Sequence, residues 1–405
     1  MKTLTLSLLA LLISANLLAQ PMPGKLRAHI TFLASDELQG RGTGTEGEKL
    51  AANYLVSQFK KLKLKPYGDN KTYLQTFDFK GGIHGTGEPG KASNIVGFLD
   101  NGAPTTVVIG AHYDHLGTGT QGSSLDPNPA GKIHNGADDN ASGVAGLLEL
   151  ARYYKTNKVK EKNNFLFICF SGEELGLHGS DYFVEHPTME LGKINFMINL
   201  DMVGRLDPKN GGLAVSGSGT SPGWEPLLKS LSTPEVPITT DSSGTGPSDH
   251  TKFYLKKIPV LHFFTGSHSD YHKPSDDADK INYEGEVAVL NTIIKVVDTM
   301  DKEPKLAYLP TKSKSTGGSR SFKVTMGVMP SYSSKAAGLK VDGVSEGKPA
   351  QKAGILAGDV IIQIGDLPIK DMESYMDALG KFEKGQTVPV KLLRAEKEMT
   401  VNVTF

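Results

Sequence analysis

The run TTVVIGAHYD, residues 105–114, decides how the chain folds. Its first part, Thr105–Ala111, is β-branched or apolar without polar alternation, which is typical of a strand buried on both faces. Similar runs occupy Asn94–Leu99, Asn164–Phe170, Asn195–Leu200 and Ile258–Phe264. A helical pattern, Ser142–Tyr154, comes after the first pair of runs. Buried strands that alternate with helices predict an α/β fold with a mainly parallel central sheet flanked by helices on both faces.

Carboxylates and imidazoles come directly after these runs. The segments are His112-Tyr113-Asp114, Gly136–Gly143, Ser171–Glu174, Asn199–Asp201 and Asp270–His272. A single carboxylate at a strand end usually caps a helix, but five such segments repeat the pattern. Ligands of parallel α/β folds bind beyond the carboxyl ends of the strands. The sequence therefore predicts one shared site at this edge of the sheet.

The residue types at this edge suit a pair of divalent metal ions. Histidine nitrogens with Asp and Glu oxygens are the usual zinc ligands where no thiolate is present, and a bridging carboxylate can hold two ions about 3.5–4 Å apart. Residues i and i+2 of an extended segment share a face, so Asp114 can accept the ring N–H of His112 and fix its tautomer. Consecutive Glu173 and Glu174 cannot point at one spot. One can bind metal while the other acts as a general base.

With these motifs, residues 28–301 resemble the co-catalytic di-zinc aminopeptidases, family twenty-eight of the metallopeptidases. The motifs are His112–Gly117, Gly136–Gly143, Ser171–Gly176, Asn199–Arg205 and Asp270–Pro274. The early stretch Leu33–Arg41 also looks like the opening segment of that family. The resemblance implies a zinc exopeptidase fold and a peptide substrate.

The resemblance also implies a role for each residue. It implies two zinc ions, with His112 and Glu174 as ligands of one, Asp201 and His272 as ligands of the other, and Asp139 as the bridge. Asp139 is preferred to Asp138 because the bridging aspartate of the family directly precedes the Asn-Ala-Ser-Gly turn. Glu173 matches the general base. Tyr271 matches a position where some members stabilise the oxyanion with a tyrosine hydroxyl, although a buried tyrosine bound to a carbonyl fits the sequence equally well.

The N-terminal segment, residues 1–20, reads as a signal peptide. It carries one lysine before the apolar run Leu4–Ala19, which is short for a membrane span. Export to the periplasm or the medium is expected, and an uncleaved anchor is the alternative. No later segment is apolar for long enough to cross a membrane. Residues 21–301 would form the peptidase domain, followed by a solvated linker at 302–320 that is rich in Lys, Ser, Pro and Gly.

The C-terminal segment, residues 321–405, resembles a PDZ domain, a small β-rich fold. The run from Pro349-Ala350 to Gly358-Asp359 is its most specific part. Such a domain adds a peptide as an extra strand, and the amides near Gly338-Leu339 are expected to hold the C-terminal carboxylate of a peptide or protein. A passive spacing role is the alternative.

Several other functions are disfavoured. The chain has 44 basic and 44 acidic residues, so net charge does not favour a nucleic-acid partner. The single cysteine, Cys169, excludes an intramolecular disulfide and lies within a buried run. The segment Gly219–Gly223 resembles a serine nucleophile elbow, but Pro222 follows the serine and has no N–H for an oxyanion. A serine hydrolase is therefore rejected.

The sequence predicts an exported zinc exopeptidase, an aminopeptidase first of all. A glutaminyl-cyclase-like transferase, a carboxypeptidase and a non-catalytic binding ectodomain are the alternatives. Two residues have open roles. His250 could line the substrate pocket, and Arg205 could bind a substrate carboxylate or neutralise the acidic site.

Overall fold

The computed structural model describes residues 20–80, 88–121, 123–311, 324–330, 337–344, 347–370 and 372–405. The expected signal peptide lies outside the described residues, apart from Gln20. Within the described ranges, no helix combines the length and apolar character needed to cross a membrane.

The first domain is built on one nine-stranded sheet. Its strands are β1 (Lys65–Pro66), β2 (Leu74–Lys80), β3 (Pro89–Leu99), β4 (Thr105–His112), β5 (Asn163–Phe170), β6 (Ile194–Leu200), β7 (Leu213–Ser216), β8 (Ile238–Asp241) and β9 (Val260–Phe264). The order is β1-β3-β5-β4-β6-β9-β7-β8, and β2 pairs with β3. The central strands β5, β4, β6 and β9 run parallel, whereas β3 and β7 are antiparallel to their central neighbours. The prediction of a mainly parallel sheet is confirmed.

Helices cover both faces of this sheet. They are α1 (Pro23–Leu33), α2 (Glu46–Lys61), α3 (Gly143–Thr156), α4 (His178–Glu185), α5 (Trp224–Leu231), α6 (His250–Leu255) and α7 (Tyr283–Met300). Alternate residues of β4 point to opposite faces. Val107 and Ile109 belong to the core beneath α1, α3 and α7, whereas Val108 packs with Phe183 of α4 and Phe253 of α6. Central strands without polar alternation are therefore buried on both faces.

The amino ends of the central strands are joined by a satisfied polar network. Thr105 Oγ1 donates to Asn163 Oδ1 at 2.6 Å, and Asn195 Nδ2 donates to the same oxygen at 3.1 Å, so β4, β5 and β6 are linked across the sheet. Asp301, just after α7, accepts the backbone N–H groups of Lys162 at 2.8 Å and Asn163 at 2.9 Å. Buried polar groups at this edge thus have partners.

The first part of the predicted linker differs from the prediction, because its backbone is bound to the first domain rather than solvated. Leu306 N donates to Asn195 Oδ1 at 2.8 Å, Leu309 N to Thr220 O at 2.8 Å, and Thr311 N to the Tyr254 hydroxyl at 3.0 Å. Because the first domain satisfies these backbone groups, the chain lies on it as far as Thr311. Residues 312–320 lie outside the described residues.

The C-terminal domain is a small antiparallel sheet with two short helices. Its elements are β10 (Val328–Pro330), β11 (Leu339–Val344), α8 (Pro349–Lys352), β12 (Val360–Ile364), β13 (Leu367–Pro368), α9 (Met372–Leu379), β14 (Thr387–Arg394) and β15 (Lys397–Thr404). The order is β10-β11-β12-β14-β15, with β13 beside β12. Its core includes Val341, Ile361 and Leu392. The predicted small β-rich domain is confirmed.

This strand order changes where a peptide could be added. Leu339 pairs with Ile361 of β12, and Val344 pairs with Val328 of β10, so β11 is an inner strand. Among the described residues, β10 pairs only with the part of β11 from Val341 onward, so the role of the amides near Gly338-Leu339 in holding a carboxylate stays a prediction. In the described part of this domain, β10 and β15 form the edges of the sheet.

Candidate metal centre

The carboxyl ends of the central strands bring the predicted ligands together. His112 is the last residue of β4, Asp201 follows β6 directly, and Glu174 lies four residues beyond the end of β5. Asp139 lies in a turn, Ala137–Ser142, that leads into α3. His272 lies in the loop after β9. All five predicted ligands converge on one buried spot, as the distances below show.

Asp139 lies between two pairs of side chains. Its Oδ1 is 3.3 Å from His112 Nε2, which is in turn 3.4 Å from Asp201 Oδ1. Its Oδ2 is 3.1 Å from His272 Nε2, which is 3.3 Å from Glu174 Oε2. One carboxylate thus faces both groups, one oxygen to each, as a bridging ligand requires.

These pairs correct the division that the resemblance implied. His112 groups with Asp201 rather than with Glu174, and His272 groups with Glu174. The reason is the strand register. Strands β4 and β6 are parallel neighbours in which Gly110 lies opposite Asn199, so residues two positions further along both strands leave the sheet at the same level. Those residues are His112 and Asp201.

Asp138 does not compete with Asp139 for the bridging position. Its Oδ1 accepts Gly204 N at 2.7 Å and the Ser142 hydroxyl at 3.0 Å, and its Oδ2 lies 3.1 Å from His268 Nε2. These contacts fix its carboxylate within the turn. The geometry therefore favours Asp139 as the bridge.

Asp114 acts differently from our expectation. The His112 Nδ1 atom lies 3.2 Å from the backbone oxygen of Asp114 but 3.7 Å from its carboxylate. The carbonyl is thus the closer acceptor for the ring N–H. The Asp114 carboxylate instead accepts Glu173 N at 3.2 Å and the Thr43 hydroxyl at 2.8 Å. It thereby links the segment of Glu173 to the strand that carries His112.

The two consecutive glutamates diverge as predicted. Glu173 groups with His112 and Asp201, and Glu174 groups with His115 and Asp139. Burial, together with Glu174 and Asp201, raises the pKa of Glu173 well above its usual value, although His112 offsets part of this effect. Burial alone would raise the pKa of Glu174, but His272 outweighs it and lowers that pKa to about 2. Two adjacent carboxyls thus have opposite shifts.

The imidazoles show that this group of side chains attracts a cation. Burial would lower the pKa of His112, yet Glu173 and Asp201 outweigh it and raise the pKa well above 6.5. Glu174 has the same effect on His272. Buried carboxylates need a compensating positive charge, because an unpaired charge in the interior is costly. Two imidazoles with three carboxylates also match the donor preference of zinc, so the residues fit that metal.

His115 was assigned no role from the sequence, and it belongs to the site. It is fully buried, and its Nδ1 lies 2.8 Å from Glu174 Oε1. Its Nε2 has no hydrogen-bond partner among the described residues. The signal in the sequence is its position three residues after His112, within the same strand-end segment.

The two residues with open roles are now placed. Arg205 donates to Asp270 at 2.9 Å and to Asp276 at 2.7 Å, so it neutralises the acidic surroundings. His250 is fully buried and stacks on His262 with ring centroids 4.5 Å apart, so it does not line an open cleft. The Tyr271 ring stacks on His272 at 3.9 Å. Its role in stabilising an oxyanion stays a prediction.

Comparisons with known sequences give two family matches and several relatives. The sequence model of peptidase family M28 matches residues 94–297, and that of the PDZ domain matches residues 324–405. Leupeptin-inactivating enzyme 1 of Streptomyces exfoliatus is 30% identical over 261 residues, which are 63% of this chain and 51% of that protein. Aminopeptidase YwaD of Bacillus subtilis is 33% identical over 191 residues, or 45% and 38% of the two chains. The chain thus spans about half, or less, of the length of these curated relatives.

Solved structures share the fold. The LapA aminopeptidase of Legionella pneumophila has a TM-score of 0.55 at 23% identity, covering 72% of this chain and 74% of that chain. A glutaminyl cyclase of Bacteroides thetaiotaomicron has a TM-score of 0.56 at 20% identity, covering 69% and 98%. The match to the family spans about half of the chain and includes all five predicted ligands. This chain therefore belongs to peptidase family M28.

Proposed function

We propose that this protein is a zinc-dependent aminopeptidase that removes N-terminal residues from peptides. The observation that carries the proposal is the position of Asp139, with one oxygen 3.3 Å from His112 and the other 3.1 Å from His272. A carboxylate between two buried imidazole and carboxylate pairs suits two metal ions. Relatives in the same family bear the name aminopeptidase.

Two zinc ions would be held by the two groups of side chains. His112 and Asp201 would hold one ion, His272 and Glu174 would hold the other, and Asp139 would bridge them. When bound, the two ions polarise the scissile carbonyl and lower the pKa of a shared water. Each imidazole is then held by a partner of its own chain. The His112 Nδ1 lies 3.2 Å from the Asp114 carbonyl, and His272 Nδ1 lies 2.9 Å from Ser123 O.

Glu173 would serve as the general base and then as the acid. Its backbone is fixed by Asp114, and its carboxyl faces the group of His112 and Asp201. It would take the proton of the attacking water and return it to the leaving amine. Tyr271, beside His272, would assist the oxyanion.

Location and partners complete the proposal. We expect export to the periplasm or the medium, because the first twenty residues read as a signal peptide. The PDZ domain would bind peptide or protein C-termini. Strand β10 offers an edge to which an extended peptide can be added, and β15 is the other edge in the described part.

The test combines metal analysis with a panel of chromogenic amino-acid amides. We expect two zinc ions per chain and amine release by the wild type. In Glu173→Gln, kcat should fall about 10²- to 10⁴-fold with zinc retained, because only the proton transfer is lost. Glu190→Gln is the matched control, since Glu190 is exposed and pairs with the exposed Lys193. Full activity in Glu173→Gln would refute the assignment. Ammonia release with ring closure on N-terminal glutamine substrates would instead favour a cyclase.

A further inference from the structure

The segment Gln39–Thr43 overlaps the early stretch that resembles the opening of the family, precedes the matched residues 94–297, and runs beneath two loops of the site. Gly117 N donates to Gly40 O at 2.9 Å, and His115 N donates to Arg41 O at 3.1 Å. Gly40 has φ of 69°, and a Cβ there would overlap the carbonyl oxygens of His134 and Gly117. The segment is therefore packed directly against the loop that follows His112.

Arg41 holds both loops by their backbone. Its Nε donates to Tyr113 O at 2.8 Å, one terminal nitrogen donates to Asn135 O at 2.7 Å, and the other donates to Gly136 O at 3.0 Å. Tyr113 directly follows the ligand His112. Asn135 and Gly136 precede the turn that carries Asp139. A planar guanidinium can bind carbonyls on both loops at once, whereas a single ammonium cannot reproduce this fork.

Arg41 also places a positive charge close to the acidic side chains of the site. Its side chain is only 1% exposed, and it contacts carbonyl oxygens rather than carboxylates. Burial lowers its pKa to about 10, while Asp139 and Asp114 act in the opposite direction. The guanidinium thus stays charged at neutral pH. It is a cation beneath the acidic group, and backbone carbonyls hold it in place.

Thr43 contacts the same site through the carboxylate of Asp114. Its hydroxyl donates to Asp114 Oδ2 at 2.8 Å, while the other oxygen of that carboxylate accepts Glu173 N at 3.2 Å. Thr43 is 2% exposed, so water does not replace this contact. The chain of contacts runs from Thr43 through Asp114 to the backbone of Glu173. The carbonyl of Asp114 in turn orients His112.

We propose that Arg41 and Thr43 are positioning residues of the metal centre, which set the two ligand loops and the general base in place from a segment that precedes the matched residues 94–297. This inference rests on the proposed function, because it concerns the residues of the same site. It assigns an orienting role toward zinc to residues that touch neither the metal nor the substrate. Partners of this kind typically change metal affinity 10- to 100-fold when they are removed.

Three threonine variants test the proposal. Thr43→Val keeps the shape and removes the hydroxyl, and Thr43→Ser restores it. Thr292→Val is the matched control, because Thr292 is also buried and its hydroxyl donates to Ala288 O within α7. Zinc affinity is measured by competition with a chromogenic chelator, together with kcat and KM. We expect Thr43→Val to bind zinc about 10-fold or more weakly and to have a lower kcat with an unchanged KM. Thr43→Ser should have a zinc affinity and a kcat within about threefold of the wild-type values.

The control and a second variant complete the design. Thr292→Val should bind zinc as the wild type does, so the removal of a buried threonine hydroxyl would not by itself explain the result. Arg41→Lys keeps the charge and removes the fork, and it should also weaken zinc binding. Equal zinc affinity and kcat in Thr43→Val and the wild type would overturn the proposal. A wild type that binds zinc but hydrolyses no peptide would refute the proposed function alone, because the affinity comparison would still decide this inference.

Discussion

The amino ends and the carboxyl ends of the central strands form two edges of the sheet. Both edges contain buried polar and charged side chains, but they differ in how far these side chains are paired. At the amino ends of the strands, Asn163 and Asp301 are buried with their polar atoms matched to nearby donors and acceptors. At the carboxyl ends, three carboxylates surround two imidazoles, and His115 Nε2 lacks a partner among the described residues. At one edge the polar groups pair with each other, whereas at the other they form groups that could hold a metal ion.

This difference separates stability from function within one set of strands. Satisfied polar groups add to the free energy of unfolding, and crowded like charges reduce it. Natural proteins depart from good packing and pairing mainly at functional sites. Substitutions at the amino edge should therefore lower the free energy of unfolding and leave activity unchanged. Substitutions at the carboxyl edge should lower activity without lowering the free energy of unfolding. The predictions below test this comparison.

Removal of zinc should have the largest effect, because it acts on the carboxyl edge. Dialysis against a chelator should abolish peptidase activity and lower the free energy of unfolding by about 4 kcal/mol for each ion removed, as expected for a ligand present at about 1,000 times its Kd. The single tryptophan, Trp224, lies in α5 of the first domain, so its fluorescence reports the unfolding of that domain. Chelator already saturated with zinc is the control. An unchanged melting curve after zinc removal would contradict the comparison.

Asp301→Ala should be the next largest change, and it acts at the opposite edge. The substitution leaves the N–H groups of Lys162 and Asn163 without their acceptor, at a cost of about 3 kcal/mol in the free energy of unfolding. The kcat of the folded enzyme and its zinc content should not change. Asp301→Asn keeps one acceptor oxygen, so its free energy of unfolding should fall by less than that of Asp301→Ala. A fall in kcat without a fall in stability would show that the two edges are not separate.

The sequence was sufficient to predict the central strands and that the five candidate ligands lie close together. Buried parallel strands lack polar alternation, and their carboxyl ends must meet at one edge, so His112 and Asp201 could be assigned to one site. The division of ligands between the two metal positions could not be predicted in this way. It depends on β4 and β6 being neighbours in register, and the strand order is not written in local sequence.

Contacts that are distant in sequence account for the other differences. His115 and Thr43 join the site through partners 59 and 71 residues away, and no local pattern reveals such pairs. The inner position of β11 likewise depends on pairing with β12 across an intervening helix. The composition of residues 302–311 suggested a solvated linker, but it could not show that Asn195 and Tyr254 would bind its backbone.

Glu48 should make the stability of the first domain depend on pH. Burial raises its pKa to about 8 from 4.5, so the native state keeps a proton that the unfolded state has released, and stability falls as pH rises through this window. Between pH 6 and pH 7.5 the wild type should lose about 2 kcal/mol relative to Glu48→Gln. Urea unfolding followed by Trp224 fluorescence measures this difference. Glu46→Gln, at an exposed position of the same helix, should follow the wild type. Equal pH dependence in Glu48→Gln and the wild type would contradict the prediction.

Glu173→Gln should change the free energy of unfolding least. The sign of that change distinguishes the two edges. The folded pKa of Glu173 lies above its unfolded value, so its ionised form is disfavoured in the native state at neutral and higher pH. In the zinc-free protein, the neutral glutamine should therefore raise the free energy of unfolding by about 1 kcal/mol at pH 8, while activity with zinc restored is lost. Near pH 4 the gain should disappear, because the acid is then largely protonated in both states. Removal of a carboxylate would thus stabilise the carboxyl edge, whereas Asp301→Ala destabilises the amino edge. If Glu173→Gln lowered stability at pH 8, the carboxyl edge would be as fully paired as the amino edge, and the distinction between them would fail.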